Sequence, residues 1–151
     1  MALKIGSLTV ASGVMQSPMA QCTDLAFRIV GRERGMEFAF LEMLSAHALL
    51  RNNSKTLRMM RSIPADRPLG AQLVGCDPGV MAEAAAAVEA EGFELLDLNL
   101  GCPVPKVVAG VEGGGSALLA KPAKAEAIFR SVARALKRIP LTVKMRIGYQ
   151  D

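Results

Sequence analysis

The sequence predicts an α/β fold in which parallel strands alternate with helices. Three observations carry this expectation. Short apolar runs recur along the chain, separated by stretches whose apolar residues repeat at helical spacing, as in successive right-handed βαβ units. The run Leu95-Leu96-Asp97-Leu98-Asn99-Leu100 is apolar without strict alternation, which suits a parallel strand covered on both faces. Apolar residues make up 51% and charged residues 21%, a globular composition with no linker, repeat or low-complexity segment. Alternation alone does not separate a barrel from an open sheet.

Residues 3–5 and 8–10 flank Gly6-Ser7, the signature of a short hairpin. Residues 14–19 form the first strand of the alternating series. Thr23 is placed to cap a helix with Leu25, Ala26, Ile29 and Val30 on its apolar face, ended by Gly31 or Gly35. Residues 37–42 are the second strand, and 45–50 and 55–60 read as short helical pieces. Residues 68–74 are the third strand. Asp77-Pro78 then supplies an N-cap and an N1 proline to a helix that buries Met81, Ala84, Ala85 and Val88 and closes at Gly92. Residues 94–98 are the fourth strand, and 116–120 a short helical turn. A helix over 122–138 presents Ala125, Ile128, Phe129, Val132 and Leu136 on one face, and 141–145 is the fifth strand.

At 151 residues the chain is long enough for one domain with a real core. It is short of the about 250 residues typical of a complete (β/α)8 barrel. The net charge of +4 slightly favours a polyanionic partner. Cys22, Cys76 and Cys102 have no metal-ligand spacing and read as reduced thiols of a cytoplasmic protein; His47 is the one histidine, so no metal site is expected. No apolar run approaches the length of a membrane span. The stretch from Lys4 to Ala20 is interrupted by Gly6-Ser7, Gly13, Gln16 and Pro18, so no secretory signal is expected.

Chemistry concentrates where the fourth strand ends. Asn99 stands near its C-terminal end, and Cys102 follows between Gly101 and Pro103. A thiol and an amide on a tight loop at a strand's C-terminal mouth occupy the place where α/β proteins bind and react. A small buried cysteine in a turn is the plainer alternative. Downstream, Gly113-Gly114-Gly115 lies in a glycine-rich stretch, residues 111–115, without the P-loop lysine or GxGxxG spacing, and reads as a flexible loop near the site.

The segment Asn99-Leu100-Gly101-Cys102-Pro103-Val104-Pro105-Lys106-Val107 resembles the active-site segment of the tRNA-dihydrouridine synthases. Further stretches match in the family's order: Ser17-Pro18-Met19-Ala20 with Thr23-Asp24, Glu42-Met43 with Ser45-Ala46, Gln72-Leu73, Gly115-Ser116-Ala117-Leu118-Leu119, and Val143-Lys144-Met145-Arg146-Ile147-Gly148. Departures are local: Gln21-Cys22 where Gly-Val is commoner, Leu41 where threonine is common, and a longer stretch between Lys106 and Ser116.

The resemblance implies a partial TIM (β/α)8 barrel, with a plugging N-terminal hairpin and about five of the eight parallel strands. Residues 1–151 would be the N-terminal portion of a single FMN-dependent catalytic domain. It also implies a function: reduction of uridine in tRNA to 5,6-dihydrouridine, with FMN as cofactor and NAD(P)H as reductant. Cys102 would protonate C5 while hydride from the flavin reaches C6; a thiol with a reference pKa of about 8.5 is mostly protonated near neutrality. Lys144 would stabilise the anionic reduced ring, Gln72 would bond its pyrimidine edge, and Pro18 and Met19 would pack on it. Asn99 would meet the substrate base or flavin edge, and Arg146 the uridine or its phosphate. Lys106 and the basic residues Arg130, Arg134, Lys137 and Arg138 are either solvated or part of an RNA track.

Two rivals stand beside this reading. One is another FMN barrel acting on a small pyrimidine or enone. The other is an inactive remnant that only binds RNA or a partner. With five strands the chain would leave two sheet edges open, so alone it is expected to aggregate or form oligomers, to bind FMN weakly or not at all, and to be inactive on tRNA.

Overall fold

The computed structural model describes residues 2–109 and 113–149. A parallel sheet of four strands forms its centre: β3 (Ala39–Ser45), β4 (Leu69–Val74), β5 (Leu95–Leu100) and β6 (Leu141–Met145). Spatial order follows chain order without reversal, the order of a barrel wall and not of a doubly wound sheet. An antiparallel hairpin, β1 (Leu3–Ile5) and β2 (Leu8–Val10), precedes the sheet at the expected residues. The helices are α1 (Leu25–Glu33), α2 (Ala46–Leu50), α3 (Ser54–Met59), α4 (Pro78–Ala90), α5 (Pro105–Val108) and α6 (Pro122–Ala135).

The sheet has two different faces. On one, Leu69, Ala71, Leu73, Leu96, Leu98 and Leu100 pack with Met81, Ala84, Ala85 and Val88 of α4 and Ala125, Ile128 and Val132 of α6. The other face begins dry: Phe40 and Leu95, at the N-terminal ends of their strands, join Phe38 and Val10 in a second cluster on which the hairpin sits. The Phe40 ring lies over Gly70, where an added Cβ would come within 2.6 Å of two ring carbons. A side chain at residue 70 would therefore unseat the plug.

Residues 14–19 do not join the ladder, so four hydrogen-bonded strands stand where five were expected. The Gln16 N–H reaches across to the Phe38 carbonyl at 3.0 Å, and the Gln16 side-chain oxygen accepts from the Phe40 N–H at 3.3 Å. Pro18 has no N–H to offer, so the ladder stops before it forms.

The cap of α1 is Asp24, whose carboxylate accepts the Phe27 N–H at 2.9 Å, and not Thr23. Thr23 is buried and its hydroxyl bonds the Met19 backbone. The apolar face read from the sequence is also displaced: Ala26, Phe27 and Val30 are exposed, and the buried residue is Arg28. Its guanidinium donates to Asp66 through Nε at 2.9 Å and through a terminal nitrogen at 2.7 Å. It also donates to the carbonyls of Thr23 (2.7 Å) and Arg61 (2.9 Å). Arg32 adds a bond to the Asp66 carbonyl at 2.8 Å. Tertiary pairing of a charge thus sets the orientation of α1.

Helix α6 ends at Ala135, three residues before the expected 138. The Glu89 carboxylate of α4 accepts the N–H groups of Lys137 (3.0 Å), Arg138 (2.8 Å) and Ile139 (3.1 Å), drawing these residues out of the helical path. The hydrogen bond from Arg138, opposed by burial and helped by the other two N–H groups, holds the Glu89 carboxyl below its ordinary value.

Two outcomes are expected. Asp66→Ala leaves the Arg28 charge buried and unpaired and should cost about 3–5 kcal/mol, read as a shift in the denaturation midpoint. The Glu89 contribution is present above its unfolded pKa of about 4.3 and is lost as pH falls through its lower folded value. Glu89→Gln should therefore lower stability near neutrality and flatten the acid limb of the stability–pH curve.

Candidate active site

The register of the sheet builds a polar tier above the apolar plug. Gln72 pairs with Asp97, Asp97 with Thr142, and Asn99 with Lys144. Because strand side chains alternate, these five residues share the face that carries Phe40 and Leu95. Gln72 Nε2 donates to Asp97 Oδ2 at 2.6 Å, and Thr142 Oγ1 donates to Asp97 Oδ1 at 2.7 Å. Asn99 Nδ2 donates to Gln72 Oε1 at 2.9 Å. Gln72 and Asp97 are buried. Burial pushes the Asp97 carboxyl above its ordinary value, against the two hydrogen bonds and the Lys144 charge, which favour the carboxylate.

The same Asn99 side chain organises the cysteine loop. Its Oδ1 accepts the N–H of Gly101 at 3.2 Å and of Cys102 at 2.9 Å, an Asx-type turn that fixes the backbone beneath the thiol. From the other side, the Ser116 N–H donates to the Cys102 carbonyl at 3.0 Å. Gly115 has φ of +60°, and an added Cβ would stand 2.5 Å from the Cys102 carbonyl oxygen; at Gly114 it would stand 2.9 Å from the Gly75 oxygen. The glycine-rich stretch was expected to be a flexible loop. Val111 and Glu112 lie outside the described residues, but Gly114 and Gly115 are buried and clamp the loops after β4 and β5 together. Close backbone approach is what the glycines provide.

Pro18, Ser17, Phe40, Asp97, Thr142 and Lys144 line a cavity of about 270 Å³ beside the polar tier. Lys144 is exposed at its edge, while Met19 is exposed and does not line it. Arg146 is half-buried one residue beyond the end of β6, where the strand alternation no longer fixes its direction. Pro18 and Lys144 line the cavity, while Gln72 and Asn99 stand beside it in the hydrogen-bonded tier and Cys102 follows on the loop that Asn99 holds. Asp97 and Thr142 were not singled out from the sequence. A carboxylate inside the run of leucines was the available signal for Asp97, the same signal that drew attention to Lys144. Among the described residues no cluster of three histidine, cysteine or acidic side chains could hold a metal.

The family model for dihydrouridine synthase matches residues 15–151. The chain belongs to the dihydrouridine synthase family. It is 44% identical over 151 residues to a Synechocystis protein named probable tRNA-dihydrouridine synthase 1, covering 99% of this chain and 41% of the relative. A Rickettsia prowazekii protein named probable tRNA-dihydrouridine synthase is 40% identical, with 99% and 45% covered. One from Mycobacterium tuberculosis, with the same name, is 36% identical over 163 residues. The chain spans less than half the length of these relatives.

In this chain a Cβ at residue 115 would overlap the Cys102 carbonyl oxygen, so one of the two must shift. Gly115→Ala should displace it and raise the alkylation rate of Cys102 by about tenfold, since a methyl there demands a shift of the backbone. Iodoacetamide labelling in a Cys22→Ser, Cys76→Ser background measures this.

Proposed function

We propose that this chain forms the N-terminal portion of an FMN-dependent barrel enzyme of the cytoplasm. Its reaction is the reduction of uridine in tRNA to 5,6-dihydrouridine, with NAD(P)H as reductant. The observation that carries this reading is the Asn99–Cys102 turn, which sets a thiol on a fixed backbone just past the C-terminal end of β5, on the strand whose Asp97 lines a largely apolar cavity.

The residues present fit one part of a flavin. Pro18 and Phe40 offer apolar contact, and Lys144 offers a positive charge at the cavity edge. When bound, the flavin supplies hydride to C6 of the uracil ring. Cys102 holds the proton destined for C5, on a backbone that the Asn99 turn and the Ser116 N–H fix. Lys144 favours a substrate or cofactor edge that gains negative charge. Gln72 gives one amide hydrogen to Asp97 and accepts from Asn99, so it can meet a ring edge only with its remaining hydrogen and lone pair. Asn99 likewise keeps one amide hydrogen for a base. Arg146 supplies charge for phosphate, and Met19 an exposed apolar surface near the entrance.

The test is a chimera in which this chain replaces the matching N-terminal part of the Synechocystis relative. It is expressed in cells lacking dihydrouridine, and their tRNA nucleosides are analysed. Dihydrouridine should appear, and Cys102→Ala should reduce its rate of formation by about 10²–10⁴-fold while bound flavin absorbance is kept. Equal rates in the two proteins would remove Cys102 from its role. Activity on free uracil instead of tRNA would favour a small-pyrimidine reductase.

A further inference from the structure

We infer that Asp97 is a positioning residue: its carboxylate sets the direction of a hydrogen-bond chain that runs through Gln72 and Asn99 and ends on the backbone of Cys102. The chain is fixed at both ends by groups with one possible role. At one end the Gly101 and Cys102 N–H groups can only donate, so Asn99 must turn its oxygen to them, at 3.2 and 2.9 Å. Its Nδ2 then faces Gln72, and Gln72 must turn its Oε1 to that donor, at 2.9 Å. Gln72 Nε2 is left pointing at Asp97, at 2.6 Å, where a carboxylate accepts. The second carboxylate oxygen accepts from Thr142 at 2.7 Å, which holds it in place from β6.

Removing the acceptor at residue 97 leaves the buried Gln72 NH2 without its partner, so Gln72 can turn or withdraw. Asn99 then loses the Gln72 oxygen that holds its NH2, and the turn under the thiol keeps only its own two hydrogen bonds. Gln72 and Asp97 are buried, so water cannot readily replace the lost partner. The purpose of this arrangement rests on the role proposed for Cys102; its existence does not.

The experiment is hydrogen exchange of the full chain, resolved to the amides of Gly101 and Cys102, with Leu96 and Leu98 of β5 as internal controls. Asp97→Leu keeps the branched shape and the number of heavy atoms and removes the acceptor. It should speed exchange at Gly101 and Cys102 by about tenfold, as expected for loss of one hydrogen-bonded anchor. Asp97→Asn should stay within about twofold of the parent, because asparagine can give its oxygen to Gln72 and its NH2 to the Thr142 hydroxyl. Unchanged exchange at Cys102 in Asp97→Leu, with Leu96 and Leu98 still protected, would overturn the inference. Should Asp97→Leu lose protection throughout β5, the double variant Asp97→Asn, Thr142→Val decides. Without the hydroxyl, asparagine loses its fixed orientation, so exchange at Cys102 must exceed that of Asp97→Asn alone. Equality would overturn the inference. Absence of dihydrouridine in the chimera would leave these exchange rates untouched, so the two readings fail separately.

Discussion

Parallel pairing of β4, β5 and β6 puts Gln72 opposite Asp97 and Asp97 opposite Thr142. A slip of one residue in either ladder would turn Asp97 into the leucine-lined core and bring leucines to the cavity. Burying an unpaired carboxylate is far more costly than exposing a leucine, so the network penalises the wrong register as well as stabilising the right one. Everything at the mouth follows from that alignment. The Asn99 NH2 meets Gln72 because β5 pairs where it does, while its oxygen turns back locally onto the cysteine loop.

The inner face is graded along the strand axis. Phe38, Phe40, Leu95 and Val10 make its lower end dry, with the two phenylalanine rings edge to face at 5.2 Å between centroids. The polar residues begin one pleat higher with Asp97 and Thr142, and the exposed Lys144 stands level with Asn99 one pleat above those. This ordering lets a small number of polar groups be buried without loss. Each has a partner within the sheet, and the last ones face an opening. The loops after β4 and β5, held through Gly114 and Gly115, then cover one side of that opening.

Much of this was legible because short-range rules govern it. The hairpin, β6, α4 with its Asp77 cap, and the strand ending at the thiol were all set by local pattern and turn chemistry. So was the gathering of Gln72, Asn99, Cys102 and Lys144, since strand C-termini in parallel α/β structures converge. What escaped were effects with no local signature. Residues 14–19 look like a strand, but a glutamine side chain occupies the place of a ladder bond. Helix α1 looks amphipathic about its leucine and isoleucine, but a buried arginine decides its seat. Helix α6 should continue to 138, but a carboxylate from 48 to 50 residues earlier captures its next N–H groups. In each case a side chain distant in sequence outcompetes the backbone's own preference.

The Arg28 guanidinium illustrates how such a contact confines substitution history. It answers Asp66 and the carbonyls of Thr23 and Arg61 at once. An apolar residue at 28 strands a carboxylate and two carbonyls, and an apolar residue at 66 strands a cation. Well-packed apolar pairs can match buried ion pairs in stability, so an alternative solution exists for this region. No single replacement leads to it. A lineage holding this arrangement is therefore separated from the alternative by an intermediate less fit than either. Variation in this part of the chain is channelled to the exposed side of α1, where Phe27 and Val30 are free to change.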